Sequence, residues 1–257
     1  MWKQLRQIFT MNQTPILIGG CERTGTSLMT AILDAHPDIY CIPEETNIFL
    51  TRRDFKSDFW NHQIQRIRIT RDLLKRDIPA SSKRWCEKSP PNVRYLEQLF
   101  REFGRDLKVI LMIRDGRDVI TSMHPLREGY YIPIERWIND TRQTIRWKDH
   151  PQVLLVPYES LVSNFRPVIE QVLTFLEAAM SQEVLDYTNY SGVQQHDAFH
   201  GQHLRPLYTA SQRKWELPEH RERIDLFLQN EEVQELMNSI VDIRQAFDLS
   251  LENVERA

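Results

Sequence analysis

Cysteine is scarce in this chain of 257 residues: Cys21, Cys41 and Cys86 are too few and too scattered for a disulfide framework, and no CxxC pair suggests a metal site. Reduced thiols are the expectation. Charge of either sign is not in surplus, since 33 Lys and Arg against 36 Asp and Glu leave a formal net charge of -3. That balance gives no bulk attraction toward nucleic acid or acidic membranes, so any anion site has to be local. Long apolar runs are missing too. Met1 to Thr14 carry Lys3 and Arg6 but no continuous apolar stretch able to act as a signal peptide or membrane span, and the expectation is a soluble cytoplasmic protein. With no internal repeat, low-complexity tract or long linker, residues 1–257 read as a single domain with 1–14 as an N-terminal extension. The 41% hydrophobic and 10% aromatic content are those of a globular protein long enough for a sizeable core.

What is present is a strand, loop, helix unit repeated in kind. Pro15-Ile16-Leu17-Ile18 is a short apolar run ended by Gly19-Gly20, and from Thr26 the spacing of Leu28, Ile32 and Leu33 predicts a helix stopping near His36-Pro37. Lys108 to Ile113, then Arg114-Asp115-Gly116-Arg117, then a helix from about Asp118 make a second such unit. Val153 to Val156 is a third strand, followed by Tyr158-Glu159 and a helix over Phe165 to Glu177, with Pro167 acceptable in its first turn. Amphipathic helices are predicted over Asp54 to Arg76 and Asn92 to Phe103, and a closing helix over Glu231 to Phe247. Strands alternating with helices imply an α/β fold of three layers, P-loop-like, with a central parallel sheet flanked by helices.

Gly20 to Ser27 has the GxxxxG frame of a phosphate-binding loop between strand and helix. Its lysine is missing. Thr26 stands where a nucleoside triphosphatase loop places the ammonium that reaches the β- and γ-phosphates, so what remains is backbone N–H groups and a helix N-terminus. Those suit a single terminal anionic group better than a triphosphate with magnesium. Arg23, Thr24 and Ser27 add a guanidinium fork and two hydroxyls. Taken alone, the segment is also an ordinary glycine turn capped by Thr26 or Ser27.

The second polar loop places Arg114 at a strand end and Ser122 eight residues on, two turns into the expected helix. Ligands of α/β folds sit at the ends of adjacent parallel strands, so two anion-binding loops there suit a nucleotide carrying phosphates at two positions. The plainer alternative is that Arg114 and Arg117 pair with Asp115 and Asp118 at the surface.

Four ordered motifs then resemble one family: Gly19 to Met29 with Leu33-Asp34-Ala35-His36-Pro37, Glu44-Glu45-Thr46, Glu87-Lys88-Ser89-Pro90, and Arg114 to Ser122. The chain is similar over most of its length to the sulfotransferase superfamily that uses 3′-phosphoadenosine-5′-phosphosulfate (PAPS), in particular its tyrosylprotein sulfotransferase-like branch. The resemblance implies that Arg23, Thr24, Gly25, Thr26 and Ser27 hold the 5′-phosphosulfate and that Arg114 and Ser122 hold the 3′-phosphate. It extends to Tyr158 in Tyr158-Glu159-Ser160-Leu161, and to Ser211 and Lys214 in the stretch from Arg205 to Trp215, as further nucleotide contacts.

By the same resemblance Glu45 is the catalytic base, and Lys88, with Arg23, stabilises the transition state; no metal is chemically required for such a transfer. Cys41 to Glu45 is one residue longer than the family segment, so Glu44 stays as the competing base, and Pro43 to Thr46 also reads as a plain helix entry. Ser89 is a possible further contact for substrate or donor. His196, His200 and His203 share a helical face, but Gly201 and the lack of a fourth ligand argue against zinc. The acceptor, whether protein tyrosine, carbohydrate, lipid or small metabolite, is not legible, although Phe49 to Arg84 is rich in arginine and aromatics. The competing functions are a P-loop kinase, which needs a lysine at position 26, and a silent nucleotide-binding module, which has no need of Arg23, Glu45, Lys88 and Arg114 together.

Overall fold

A computed structural model describes residues 2–11, 15–49, 58–193, 207 and 212–255. In chain order the main elements are α1 (Trp2–Met11), β1 (Ile16–Gly20), α2 (Thr26–Asp34), β2 (Ile39–Cys41), α3 (Asp58–Leu73), β3 (Arg84–Lys88), α4 (Leu96–Phe103), β4 (Lys108–Ile113) and α5 (Gly116–Ile120). They continue with α6 (Ile134–Arg146), β5 (Val153–Pro157), α7 (Tyr158–Ser163), α8 (Phe165–Phe175), α9 (Gln182–Leu185), α10 (Tyr187–Tyr190), α11 (Arg221–Leu228) and α12 (Glu231–Glu255). The strands form a five-stranded sheet in the order β2-β3-β1-β4-β5. This is the α/β architecture expected from the alternation of strands and helices, a central parallel sheet flanked by helices. β1 and β4 read as unbroken apolar runs because both faces of such a sheet are covered; every residue of β1 is buried.

The chain divides into two compact units. The first comprises Met1–Gly19, Ser27–Ile110 and Ser181–Leu204. In it β3 pairs in parallel with β1, placing Glu87 opposite Leu17 and Lys88 opposite Ile18, and with β2, placing Cys86 opposite Cys41. Leu96, Leu99 and Phe103 turn one face of α4 into the core, where Phe103 meets the rings of Phe49 and Trp85 edge-on at 5.9 Å. Gly104, at φ 66, ends that helix and returns its N–H to the Phe100 carbonyl. α3 begins at Asp58, inside the expected span, and a 3₁₀ turn over Pro90–Tyr95 precedes α4.

The second unit comprises Gly20–Thr26, Leu111–Met180 and Arg205–Ala257. Its core is built on Val119, Ile120, Trp137, Phe227, Val233, Leu236 and Ile240, with the Trp137 and Phe227 rings 4.8 Å apart. α5 is a single turn, capped by the Asp115 carboxylate, which accepts the Arg117 N–H at 2.9 Å. Ser122 therefore lies beyond the helix rather than two turns inside it. At Thr121 the chain leaves the helix and enters a bridge between Met123 and Tyr130. Among the described residues no helix is long and apolar enough to cross a membrane.

Candidate functional site

The glycine loop belongs to the second unit, and its backbone is curled by three residues of positive φ: Gly20 at 133, Arg23 at 71 and Gly25 at 99. Such a curl turns successive N–H groups toward one concavity, the geometry of an anion nest, just ahead of the first turn of α2. Two contacts make glycine obligatory. A Cβ on Gly20 would lie 2.4 Å from the Met112 carbonyl oxygen, and one on Gly25 would lie 2.6 Å from Cδ2 of Tyr158. Arg23 adopts the left-handed region without glycine's freedom, a strain that recurs at binding loops. Its guanidinium stands 5.7 Å from the centre of the Tyr131 ring, which stacks on His124 at 4.8 Å. Thr24 is buried and its hydroxyl donates to the Cys21 carbonyl at 2.6 Å, so this side chain closes the loop from within.

Arg114 clamps the same loop. Its Nη1 donates to the Arg23 carbonyl at 3.1 Å, its Nη2 lies 3.6 Å from Asp118, and its guanidinium covers the Tyr158 ring at 4.2 Å. Asp118, nearly inaccessible, also accepts the backbone N–H groups of Arg213 and Lys214 at 3.0 and 3.1 Å, tying the later segment to this turn. Burial raises the Asp118 carboxyl above its ordinary range despite the Arg114 charge. Arg117 pairs with Asp115 at 2.6 Å and lies over the Trp215 ring at 4.0 Å; the hydrogen bond to Asp115 raises its guanidinium further. The surface-pairing alternative thus holds for Arg117, whereas the Arg114 and Asp118 pair is buried. Glu159, itself buried and raised by burial, accepts the Asp115 N–H at 3.0 Å and so joins the turn after β5 to the turn after β4. Ser122 donates to the Asp118 carbonyl at 2.8 Å, and the Lys214 side chain is exposed. Cys21, Glu22 and Asp140 bring their ligand atoms within 4.8 Å of one another, with Arg136 ion-paired to both carboxylates.

The second constellation lies in the first unit. Lys88 ends β3 with its ammonium 2.5 Å from Oε1 of Glu45; Lys88 is 3% exposed and Glu45 40%. Next to it, Thr46 Oγ1 donates to Glu87 Oε1 at 2.9 Å, and the Asn47 N–H donates to Ser89 Oγ at 3.3 Å. Ser89 Oγ in turn donates to Glu87 Oε1 at 2.5 Å, and Asn92 Nδ2 donates to Glu87 Oε2 at 2.7 Å. Glu87 has no exposed surface and its carboxyl is raised by that burial, with Ser89, Asn92 and Thr46 opposing the shift. Glu44 points elsewhere, pairing through both carboxylate oxygens with Arg76, which also holds Asp72 at 2.7 Å. Residues 43–47 have no helical turn, so the acidic pair is not a helix entry.

A sulfotransferase family model matches residues 15–182, well over half of the chain and all of the segments just described except Arg213 to Trp215. The chain belongs to the sulfotransferase family. It is 30% identical over 203 residues to a Caenorhabditis briggsae protein named as a protein-tyrosine sulfotransferase, covering 70% of this chain and 71% of the relative. It is 28% identical to protein-tyrosine sulfotransferase A of Caenorhabditis elegans over 69% of this chain, but spans only 53% of that relative, and 40% of the Drosophila melanogaster protein-tyrosine sulfotransferase. These relatives fit the tyrosylprotein sulfotransferase-like branch. Among solved structures, the sulfotransferase domain of the Synechococcus olefin synthase superposes with a TM-score of 0.60 at 18% identity, covering 89% of this chain and 94% of the domain. A mouse sulfotransferase complexed with 3′-phosphoadenosine-5′-phosphate (PAP) gives 0.53 at 15% identity, covering 92% and 93%. At such identities the likeness is one of fold.

Of the residues singled out from sequence in this sulfotransferase-family chain, Arg23, Thr24, Gly25, Arg114 and Tyr158 are brought into direct association, and Ser122 and Lys214 are attached to them through Asp118. Thr26 and Ser27 open α2. Glu45 and Lys88 form a pair of their own. Ser89 is fully buried and engaged with Glu87, so it offers no surface to a ligand, contrary to the expectation for it. Ser211 and the histidines 196, 200 and 203 lie outside the described residues. Sequence reasoning assigned no role to Glu87 or Glu159, and gave Asp118 only a surface pairing with an arginine where the structure has a buried one. The one available signal for Glu87 and Glu159 was chemical: each is a carboxylate in or beside a strand end, where an unpaired charge is too costly to keep.

Proposed function

We propose that this chain transfers a sulfuryl group from PAPS to a hydroxyl, or an amine, of an acceptor. The observation that carries the reading is the curled loop of a sulfotransferase-family chain that has Thr26 where a triphosphate-binding loop needs lysine. Its N–H groups and the start of α2 suit a 5′-phosphosulfate, held with Arg23, Thr24, Gly25, Thr26 and Ser27. Thr24 would contribute through its backbone, because its hydroxyl proton is already donated. Arg114 and Ser122, with Tyr158, Ser211 and Lys214, are the residues we assign to the remaining nucleotide, Arg114 being also the clamp of the loop.

In the transfer, Glu45 accepts the proton of the acceptor hydroxyl as its oxygen bonds to sulfur, and the bond from sulfur to the bridging phosphate oxygen breaks. Lys88 and Arg23 offset the negative charge left on that oxygen, and PAP departs. No step in this scheme calls on a metal ion. The partners of the two adjacent glutamates support Glu45 over Glu44: one meets the buried Lys88 at the end of β3, the other, itself half-exposed, meets Arg76. A protein tyrosine is the acceptor to test first, because the relatives carry that name; carbohydrate, lipid and small-metabolite hydroxyls are the alternatives in the same screen. We read residues 1–257 as one catalytic domain. Three buried free thiols support a cytoplasmic setting.

Calorimetry with PAP and with ATP, each with and without magnesium, tests the donor. Tight, magnesium-independent binding of PAP is expected. Stronger binding of ATP with magnesium would overturn the assignment. Sulfur-35 transfer from labelled PAPS to a tyrosine-containing peptide, beside an acceptor panel, then tests the reaction.

A further inference from the structure

Three consecutive residues of the Glu45 loop are each fastened to three consecutive residues at the end of β3. Glu45 meets Lys88, Thr46 meets Glu87, and the Asn47 N–H meets Ser89. Two of these rungs converge on a single atom, Oε1 of Glu87, directly from Thr46 at 2.9 Å and through Ser89 at 2.5 Å. The Ile48 N–H adds a bond to Thr46 Oγ1 at 3.2 Å, so the rung continues into the loop backbone. The other oxygen, Oε2, is held by Asn92 at 2.7 Å. Every one of these partners is a donor, and Glu87 has no exposed surface. A carboxylate placed like this cannot take a proton from an incoming hydroxyl, and with all rungs made it is a rigid anchor.

We infer that Glu87 is a positioning residue for the sulfuryl-transfer base, fixing the loop that carries Glu45 through Thr46 and through Ser89 to Asn47. The inference rests on the role proposed for Glu45, although the anchoring itself is measurable without turnover. An alternative role for Glu87 is as a charge needed in the chemistry, and a third is as a mere element of the core. Asn92 provides the means of telling them apart. Its Oδ1 is buried with no hydrogen-bond partner among the described residues. In Glu87→Gln the retained oxygen still accepts from Thr46 and Ser89, and a turn of the Asn92 amide lets Oδ1 accept from the new NH₂ group. The charge disappears while the anchor survives.

The experiment compares Glu87→Gln, Glu87→Ala and the milder Thr46→Val, which takes the hydroxyl from both Glu87 and the Ile48 N–H and leaves Glu87 bonded to Ser89 and Asn92. Amide hydrogen exchange over residues 45–47, leaving out Ile48 because its N–H bonds directly to Thr46, is read on the full chain without ligand, and kcat and KM with PAPS and a tyrosine-containing peptide. In Thr46→Val, exchange is expected to quicken roughly 10-fold, the worth of one buried hydrogen bond. In Glu87→Ala, kcat is expected to fall on the order of 10²-fold, the effect of a misplaced catalytic group, with KM for PAPS little changed. Glu87→Gln should resemble the wild type in both readings. Equal loss of kcat in Glu87→Gln and Glu87→Ala, with slow exchange kept in the former, would assign the charge to the chemistry and overturn positioning. Wild-type exchange and kcat in Thr46→Val would overturn it as well. Should the wild-type chain transfer no sulfuryl group to any acceptor, the proposed function fails, and the exchange arms alone decide whether Glu87 anchors the loop.

Discussion

The ammonium of Lys88 lies 2.5 Å from Glu45, while the neighbouring Glu44 turns its carboxylate to Arg76. Adjacent residues of a non-helical segment send their side chains opposite ways, so one glutamate is directed to the end of β3 and the other to the surface. Two acids that are equivalent as letters end in different ion pairs, Glu45 with the buried Lys88 and Glu44 with Arg76.

That divergence predicts unequal consequences of removing each charge. Glu45→Gln should lower kcat by about 10²- to 10⁴-fold, the span typical of a lost general base. Glu44→Gln should leave kcat close to the wild type, because Glu44 pairs with Arg76 and meets neither Lys88 nor Glu87. Steady-state turnover of labelled PAPS with an accepted substrate measures both, and equal rates for the two variants would remove Glu45 from the role of base.

Lys88→Met keeps the length of the side chain and removes its charge. Turnover should fall by on the order of 10²- to 10³-fold, as expected when a group stabilising developing charge is lost. Calorimetric affinity for PAP should change little, since the nucleotide is assigned to other residues. A large loss of PAP affinity would place Lys88 in ground-state binding instead.

Gly25→Ala strains the loop twice, through a φ of 99 and through a Cβ 2.6 Å from the Tyr158 ring. A cost of about 1–3 kcal/mol in chemical denaturation is expected from the backbone alone. PAP binding should weaken sharply because the N–H groups of the loop lose their common direction. Retention of wild-type affinity would show that this curl does not grip the nucleotide.

Glu87 also makes a signed prediction about pH. Burial raises its carboxyl in the folded chain above the unfolded value, so the folded state takes up a proton at a higher pH than the unfolded state does. Its contribution to stability is therefore least favourable at neutral pH and improves as pH falls through the raised value toward the ordinary carboxylate range. Glu87→Gln removes that term. The stability of the variant relative to the wild type, read by urea denaturation at several pH values, should be greatest near neutrality and decline on acidification. The opposite slope would mean that hydrogen bonds outweigh burial at this carboxylate.

Much of the framework was legible in the chain. β1, β4 and β5 are apolar runs that only a covered sheet accommodates, and the glycine loop between β1 and α2 is marked by residues that alone permit its backbone. β3 was not legible, because Arg84-Trp85-Cys86-Glu87-Lys88 carries three charges in five residues and resembles no buried strand. Its acid and its lysine are tolerated because Thr46 and Glu45 arrive from elsewhere to meet them, joined by Ser89 and Asn92 just past the strand. Ser122 was misplaced for a related reason. Local periodicity extends a helix past Ile120, whereas the pairing of Met123 with Tyr130 takes the chain out of it.

The sequence by itself determined the sulfotransferase frame, the loop without its lysine, and the order in which the charged motifs follow the strands, since each depends on residue type and near spacing. Only the tertiary structure decided which of those charges meet. Glu45 was separated from Glu44, Arg114 became a clamp on Arg23, and Glu87 became the anchor beneath the Glu45 loop. Such choices depend on which distant donor reaches a buried carboxylate, and that is settled by three-dimensional packing.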